Sequence, residues 1–351
     1  MSQLIELYTR MEAEAEARAV EPWFRIDRLP PSGSSHERTK FQREIPPGVV
    51  DRFRDFKIGG IGLEPQDYGI TLADYLSRPN FDKLVDDPIV RDPKAERLIQ
   101  VLVREQLKGA QPDVVQAFLH ALDDSLNIGG RKHVVGFSRL IVCSMFSLKM
   151  AQRALRMLAV LHRHEVRPKV LLEIGGGYGK TFSDACALLG VRTGIYVDLP
   201  LNLLLAASYL NKLSPGKVNL VWSDDAEIRE GAMNLVAPWL LEEKLAMPVD
   251  LALNFLSLQH MQAATQEFYL GILRRNGLGH LYHENRLHPR DRVEGALAGS
   301  ASMTAARTLE SQVASRPTFY SPDGRRINSP DGRGTNLTRE LVVYGQLLRF
   351  D

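Results

Sequence analysis

The sequence predicts an α/β protein: a doubly wound, mostly parallel sheet with a closing antiparallel strand, preceded by a mostly helical N-terminal domain. Three observations carry this. After residue 168, short apolar runs alternate with helical patterns across short connections, the signature of a parallel sheet with helices on both faces. The first of those runs ends in a glycine-rich turn, EIGGGYGKT at 173–181. Before residue 168 the apolar spacing is that of helices, so the chain divides into a helical segment, 1–167, and a sheet domain, 168–351.

The elements follow in order. The first twenty residues are rich in Glu and Ala and read as an amphipathic helix, followed by a loop with PPSGSS at 30–35. Gly59, Gly60, Gly62 and the run Asn127–Gly130 mark breaks. Asp92 to Leu126 has helical spacing of Leu, Val and Phe. Val134 to His164 is apolar on most sides and reads as a buried helix or packed helical pair. In the sheet domain, KVLLEI (169–174), GIYVDL (194–199), KVNLVW (217–222), DLALNFL (250–256) and GHLYHEN (279–285) read as five strands. Helices are expected between them, including one over 226–245. The echo SPDGRR (321–326) and SPDGRG (329–334) is turn chemistry, and RELVVYGQLLRF (339–350) is the expected closing antiparallel strand.

Composition narrows the function. The 351 residues are 44% apolar, enough for a sizeable core, and the net charge of +2 argues against nucleic acid as a partner. No run approaches the ~20 apolar residues of a membrane span. The N-terminus is too acidic for a signal peptide. Cys143 and Cys186, both in stretches read as helix, suit a reducing compartment. The expectation is a cytoplasmic protein.

The glycine turn discriminates between cofactors. A phosphate loop needs a glycine five residues before Gly179, where Ile174 stands. A dinucleotide fingerprint needs a third glycine where Lys180 or Phe182 stands, depending on register. What fits is acidic-x-Gly-x-Gly-x-Gly, filled by Glu173, Gly175, Gly177 and Gly179. This resembles the first motif of class I S-adenosylmethionine-dependent methyltransferases. The logic is physical: glycines let the backbone approach the amino-acid end of the donor, and a carboxylate at the strand end reaches its ammonium. Asp198, closing YVDLP, stands where ribose hydroxyls arrive in such sheets. Ser223 and Asp224 follow the third strand, where the adenine is expected, or cap the next element.

EIGGGYG, then VDLP, then Tyr209-Leu210, is similar to a narrower group, the sugar O-methyltransferases, over roughly residues 168–290. The resemblance implies cofactor contacts from Tyr178, Leu199 and Asn254, with S-adenosylhomocysteine as product. It also aligns Ser257, Gln259, His260 and Met261 after the fourth strand and Tyr282 and Asn285 in the fifth. His260 departs from the glutamate of that group. A neutral imidazole there suits a general base. Gln259, Tyr282, Asn285 and Arg286, with Arg131 and His133 from the helical segment, are the expected acceptor contacts. His283 and His288 lack a compact carboxylate partner at ligand spacing, so no metal site is expected. The acceptor is expected to be a sugar hydroxyl, free or carrier-linked. A phenolic or polyketide hydroxyl, or a cofactor-binding protein without turnover, are the alternatives.

Overall fold

The structure is a computed structural model of the chain. It describes residues 92–125, 132–258, 261, 263–286, 306–315, 319–320, 326–327 and 343–350, with helical positions between 7 and 17 and Arg18. Two helices open the first continuous stretch. Helix α1 (Pro93–Gln106) starts at Asp92, whose carboxylate accepts from the Lys94 and Ala95 amides. Helix α2 (Pro112–Leu122) also has proline in its first turn, where a missing N–H costs nothing.

The stretch after Lys132 differs from the helical expectation. His133–Gly136 (β1) and Leu140–Cys143 (β2) form an antiparallel hairpin, and only then does helix α3 (Met145–Arg163) begin. The β-branched residues of HVVG and LIVC favour strands. Their merger with the apolar helix behind them hid the boundary. Cys143 is therefore a strand residue. A reciprocal Ser144–Ser147 capping box starts α3.

The sheet domain is eight-stranded. Its parallel members are β3 (Val170–Ile174), β4 (Thr193–Val197), β5 (Val218–Val221), β6 (Met233–Val236), β7 (Leu251–Phe255) and β8 (His280–Arg286). A final strand, Val343–Arg349, runs antiparallel beside β8, and strand β9 (Arg307–Ser315) pairs antiparallel with it at the sheet edge, so β9 runs parallel to the other six. Two-residue arms, β10 (Phe319–Tyr320) and β11 (Arg326–Ile327), flank positions 321–325, and the final strand is β12. The order is β5-β6-β4-β3-β7-β8-β12-β9. Helices α4 (Lys180–Leu189), α5 (Pro200–Leu213) and α7 (Ala263–Arg275) connect the parallel strands, with the short α6 (Leu241–Lys244) before β7.

Two strands of the eight-stranded sheet were not anticipated. The region 226–245, expected to be helical, contains β6, a four-residue strand too short to show a period and stopped by Pro238. The β5–β6 crossover is irregular, so its backbone needs other partners. Asn234, fully buried, supplies them: it accepts from the Arg229 amide at 2.8 Å and donates to the Arg229 and Gly194 carbonyls. Asn219 reaches the Glu227 carbonyl at 2.7 Å. Strand β9, with its Arg, Glu and Gln, sits at the sheet edge, where polar residues are the norm.

Two apolar clusters form the interior. The larger joins both faces of the sheet to Met157, Val160 and Leu161 of α3. The smaller gathers α1, α2 and the hairpin around Leu148, Ala151 and Ala154 of the same helix. Helix α3 thus belongs to both. Among the described residues, no helix is long and apolar enough to cross a membrane.

Candidate functional site

The strand order reverses between β3 and β7, and ligands of open α/β sheets sit at the carboxyl ends of the strands at such a point. The glycine turn leaves β3 there. Gly175, Gly177 and Gly179 have φ of +69°, +68° and +88°, a region that favours glycine. Space adds a second constraint. A Cβ on Gly175 would meet the Ser257 Cβ at 2.6 Å, and one on Gly176 would lie 2.6 Å from the Glu173 carboxyl carbon.

Glu173 is the unusual group. It is fully buried, and neither carboxylate oxygen has a hydrogen-bond partner among the described residues. Burial pushes its pKa up to about 8, opposed by Arg153 and reinforced by Asp198 and Asp184. A buried carboxylate with no donor is costly and calls for an explanation. A donor-rich ammonium supplied by a ligand is one. The residues therefore fit an amino-acid-bearing cofactor.

Asp198 has the opposite character. One oxygen accepts from the Gly177 amide (3.0 Å) and the Tyr196 hydroxyl (2.9 Å), the other from the Leu199 amide and Asn202 Nδ2 (both 2.8 Å). A carboxylate has about four lone-pair sites, and protein donors occupy all of them. Desolvation nevertheless leaves its pKa raised. In this arrangement Asp198 ties the glycine turn to the start of α5. Asp198→Ala is expected to cost about 2–3 kcal/mol in urea unfolding, because several buried donors lose their acceptor. A residue that served ribose hydroxyls alone would leave stability unchanged.

Asn254 plays a matching part on the β7 side. It donates to the Ile174 carbonyl (2.8 Å) and Ser257 Oγ (2.5 Å), and accepts from the Leu258 amide and Asn285 Nδ2. Leu256, between them, holds φ of +61°, a backbone state that persists only where surroundings enforce it. Tyr178 points away from the turn: its hydroxyl and that of Tyr209 both donate to buried Asp124, at 3.1 and 2.9 Å. Leu199 is the cap residue of α5.

The remaining expected contacts are distributed as follows. Ser223 and Asp224 follow β5, which is the sheet edge. Strand β6 lies between it and β4, so the turn nearest Asp198 is Ala237–Trp239. Asp224 pairs with Arg18, and Ser223 donates to Asp225 at 2.6 Å. Tyr282 and Asn285 are fully buried, the tyrosine donating to Glu284 Oε1 at 3.0 Å. His133 is buried in the hairpin. Tyr282, Asn285 and His133 are thus buried in this structure. Burial drives the pKa of His283 down to about 4, so its imidazole is neutral. Arg131, Gln259, His260, His288 and the side chain of Arg286 lie outside the described residues.

Beside the turn, helix α3 brings two arginines to the end of β8. Arg156 grips Glu284 through two bonds, Nε to Oε1 at 2.9 Å and Nη2 to Oε2 at 2.8 Å. Arg153 Nε lies 3.5 Å from Glu284 Oε2, and its guanidinium stacks 4.8 Å over the Phe255 ring. Neither Arg153 nor Gly176, Tyr196, Asn202 and Trp239 was among the expected site residues. A charge amid an apolar helix was the available signal for Arg153.

No family model and no curated protein matches the chain. Among solved structures it is similar to the N-methyltransferase NodS from Bradyrhizobium japonicum WM9 in complex with S-adenosyl-l-homocysteine. Identity there is 14% and the TM-score 0.38, over 57% of this chain and 87% of that one. The magnesium protoporphyrin IX methyltransferase of Synechocystis PCC 6803, with bound S-adenosylhomocysteine, gives 9% and 0.37, over 72% and 100%. The methyltransferase domain of a bacterial CtHen1 gives 13% and 0.37, over 57% and 100%. All three TM-scores lie below 0.5, so the fold is read from the sheet itself. A glycine turn after the first parallel strand, a strand-order reversal beside it and an antiparallel closing pair make a methyltransferase-like α/β fold.

Proposed function

We propose that the protein is an S-adenosylmethionine-dependent O-methyltransferase acting on a sugar hydroxyl. The observation that carries the cofactor is Glu173: a buried carboxylate with both oxygens unmet among the described residues, beside a turn of left-handed glycines. The bound donor would supply an electrophilic methyl group on a sulfonium. Glu173 would hold its ammonium, the turn would allow close backbone approach, and Asp198 would keep the turn in shape. Positioning of acceptor and donor contributes much of the acceleration in such transfers. His260, two residues after Leu258 and beyond the Asn254–Ser257 turn, would take the hydroxyl proton, a role typically worth ~10²–10⁴-fold. The sugar acceptor rests on GGGYG and VDLP, the motifs shared with sugar O-methyltransferases.

Calorimetry with S-adenosylhomocysteine and NAD side by side tests the cofactor; binding of NAD alone would end this reading. Transfer of labelled methyl to nucleotide sugars, uronic acids and phenols tests the acceptor. His260→Ala is expected to lower turnover ~10²-fold or more without weakening S-adenosylhomocysteine. Unchanged turnover would remove His260 from the chemistry.

A further inference from the structure

Two buried groups beside the glycine turn have unmet hydrogen-bonding capacity of opposite sign. Glu173 has no donor for either oxygen among the described residues. Arg153 Nε has no hydrogen-bond acceptor among the described residues, and Nη1 reaches only as good a partner as the Met150 sulfur, at 3.3 Å. Glu284 does not satisfy Arg153. Oε1 accepts from Arg156 Nε and the Tyr282 hydroxyl, Oε2 accepts from Arg156 Nη2, and the 3.5 Å approach of Arg153 Nε to Oε2 makes an ion pair without a hydrogen bond. Two guanidiniums thus face the Glu284 carboxylate, and Glu173 is a second carboxylate that acts on Arg153.

These groups share one face of the sheet. Glu173 pairs with Leu253 of β7, and Phe255, two residues on, pairs with Glu284 of β8. Side chains alternate along a strand, so Glu173, Phe255 and Glu284 project to the same side, the side on which Arg153 of α3 sits over Phe255. Arg153 and Glu173 attract each other there without a direct hydrogen bond. A simple internal salt bridge would have closed that bond, since an unpaired buried charge is expensive.

We propose that Glu173 and Arg153 form a receptor for an α-amino-acid zwitterion, Glu173 taking the ammonium and Arg153 the carboxylate of the methionine-like tail. This rests on the cofactor reading above and adds to it a residue from the helical segment. Arg153 thereby makes α3 part of the cofactor site, with Phe255 holding the guanidinium plane in place. A guanidinium fork matches a carboxylate in two parallel bonds, which a lysine cannot reproduce.

The test compares three ligands by calorimetry: S-adenosylhomocysteine, its decarboxylated analogue and 5′-methylthioadenosine, which lacks the tail. Arg153→Met is expected to weaken S-adenosylhomocysteine ~10- to 100-fold, and to leave the other two within about 3-fold. Arg153→Lys, which keeps the charge, is expected to fall between wild type and Arg153→Met for S-adenosylhomocysteine alone. Retained methylthioadenosine binding shows that each variant is folded. An equal loss for all three ligands, or no loss for any, overturns the Arg153 assignment and leaves the cofactor reading standing. Failure of the wild-type protein to bind S-adenosylhomocysteine overturns both.

Discussion

Lys180→Met is expected to destabilise the protein by about 3–5 kcal/mol, the cost of breaking a buried ion pair from one side. Lys180 and Asp184 are one helical turn apart on α4, and Nζ lies 2.7 and 2.8 Å from the two carboxylate oxygens. Both side chains are almost completely enclosed. Burial already lifts Asp184 to about 7 against the pull of Lys180. Removing the lysine would leave that carboxylate near a second buried acid, Asp124. The penalty should therefore depend on pH. A carboxyl group whose folded pKa is raised favours the folded state at low pH, where it is protonated, and loses that advantage as pH rises from its ordinary value of 3.8 through the raised one. The variant should be closest to wild type near pH 5 and furthest from it near pH 8. Urea unfolding at both values checks this. Lys180→Met combined with Asp184→Leu should recover most of the loss, since apolar residues replace both charges. A single variant as stable as wild type at pH 8 would mean the pair is not buried as described.

Glu173→Gln is expected to move stability and binding in opposite directions. In the free protein Glu173 titrates near 8 against an ordinary 4.5, so between those values the folded state holds a proton that the unfolded state gives up. Stability contributed by this group thus falls as pH rises from about 4.5 and levels off above about 8. Gln carries no such slope, and the variant should be the more stable protein at pH 8.5. Binding should suffer. A hydrogen bond to a charged partner is worth about 1.5–3 kcal/mol, so S-adenosylhomocysteine should weaken ~10- to 100-fold. In the wild-type protein an incoming ammonium selects the ionised carboxylate, so binding below about pH 8 should release a proton. Calorimetry in two buffers of different ionisation heat measures that release, and the Gln variant should lack it. Equal affinity of variant and wild type would remove Glu173 from the ligand site.

The parallel sheet and its glycine turn were legible because their signals are local. Five strands follow from apolar runs, and a carboxylate followed by alternating glycines encodes a tight turn within seven residues. The elements that were missed have weak or masked signals. Strand β6 is four residues long and buried, which leaves no period to read. The hairpin of β1 and β2 runs into α3, so its β-branched residues were absorbed into a helical pattern. The site was partly legible for a different reason. Residue type suggests which groups carry charge, but not whether that charge is already taken. Asp198 and Glu173 look alike in sequence; the first meets four protein donors and the second none. Tyr282 and Asn285 were expected at an acceptor from the resemblance to sugar O-methyltransferases, Asn285 also from its place at a strand end. In the structure they lie on opposite faces of β8, both buried, Tyr282 donating to Glu284 and Asn285 to Asn254.

Helix α3 lies in both apolar clusters, and that shared membership has a mechanical consequence. One rod carries the packing of the hairpin bundle on some of its side chains and the roof of the sheet on others. The same helix sends Arg153 to Phe255 of β7 and Arg156 to Glu284 of β8, so a substitution that loosens α3 in the hairpin cluster should also be felt at those strand ends.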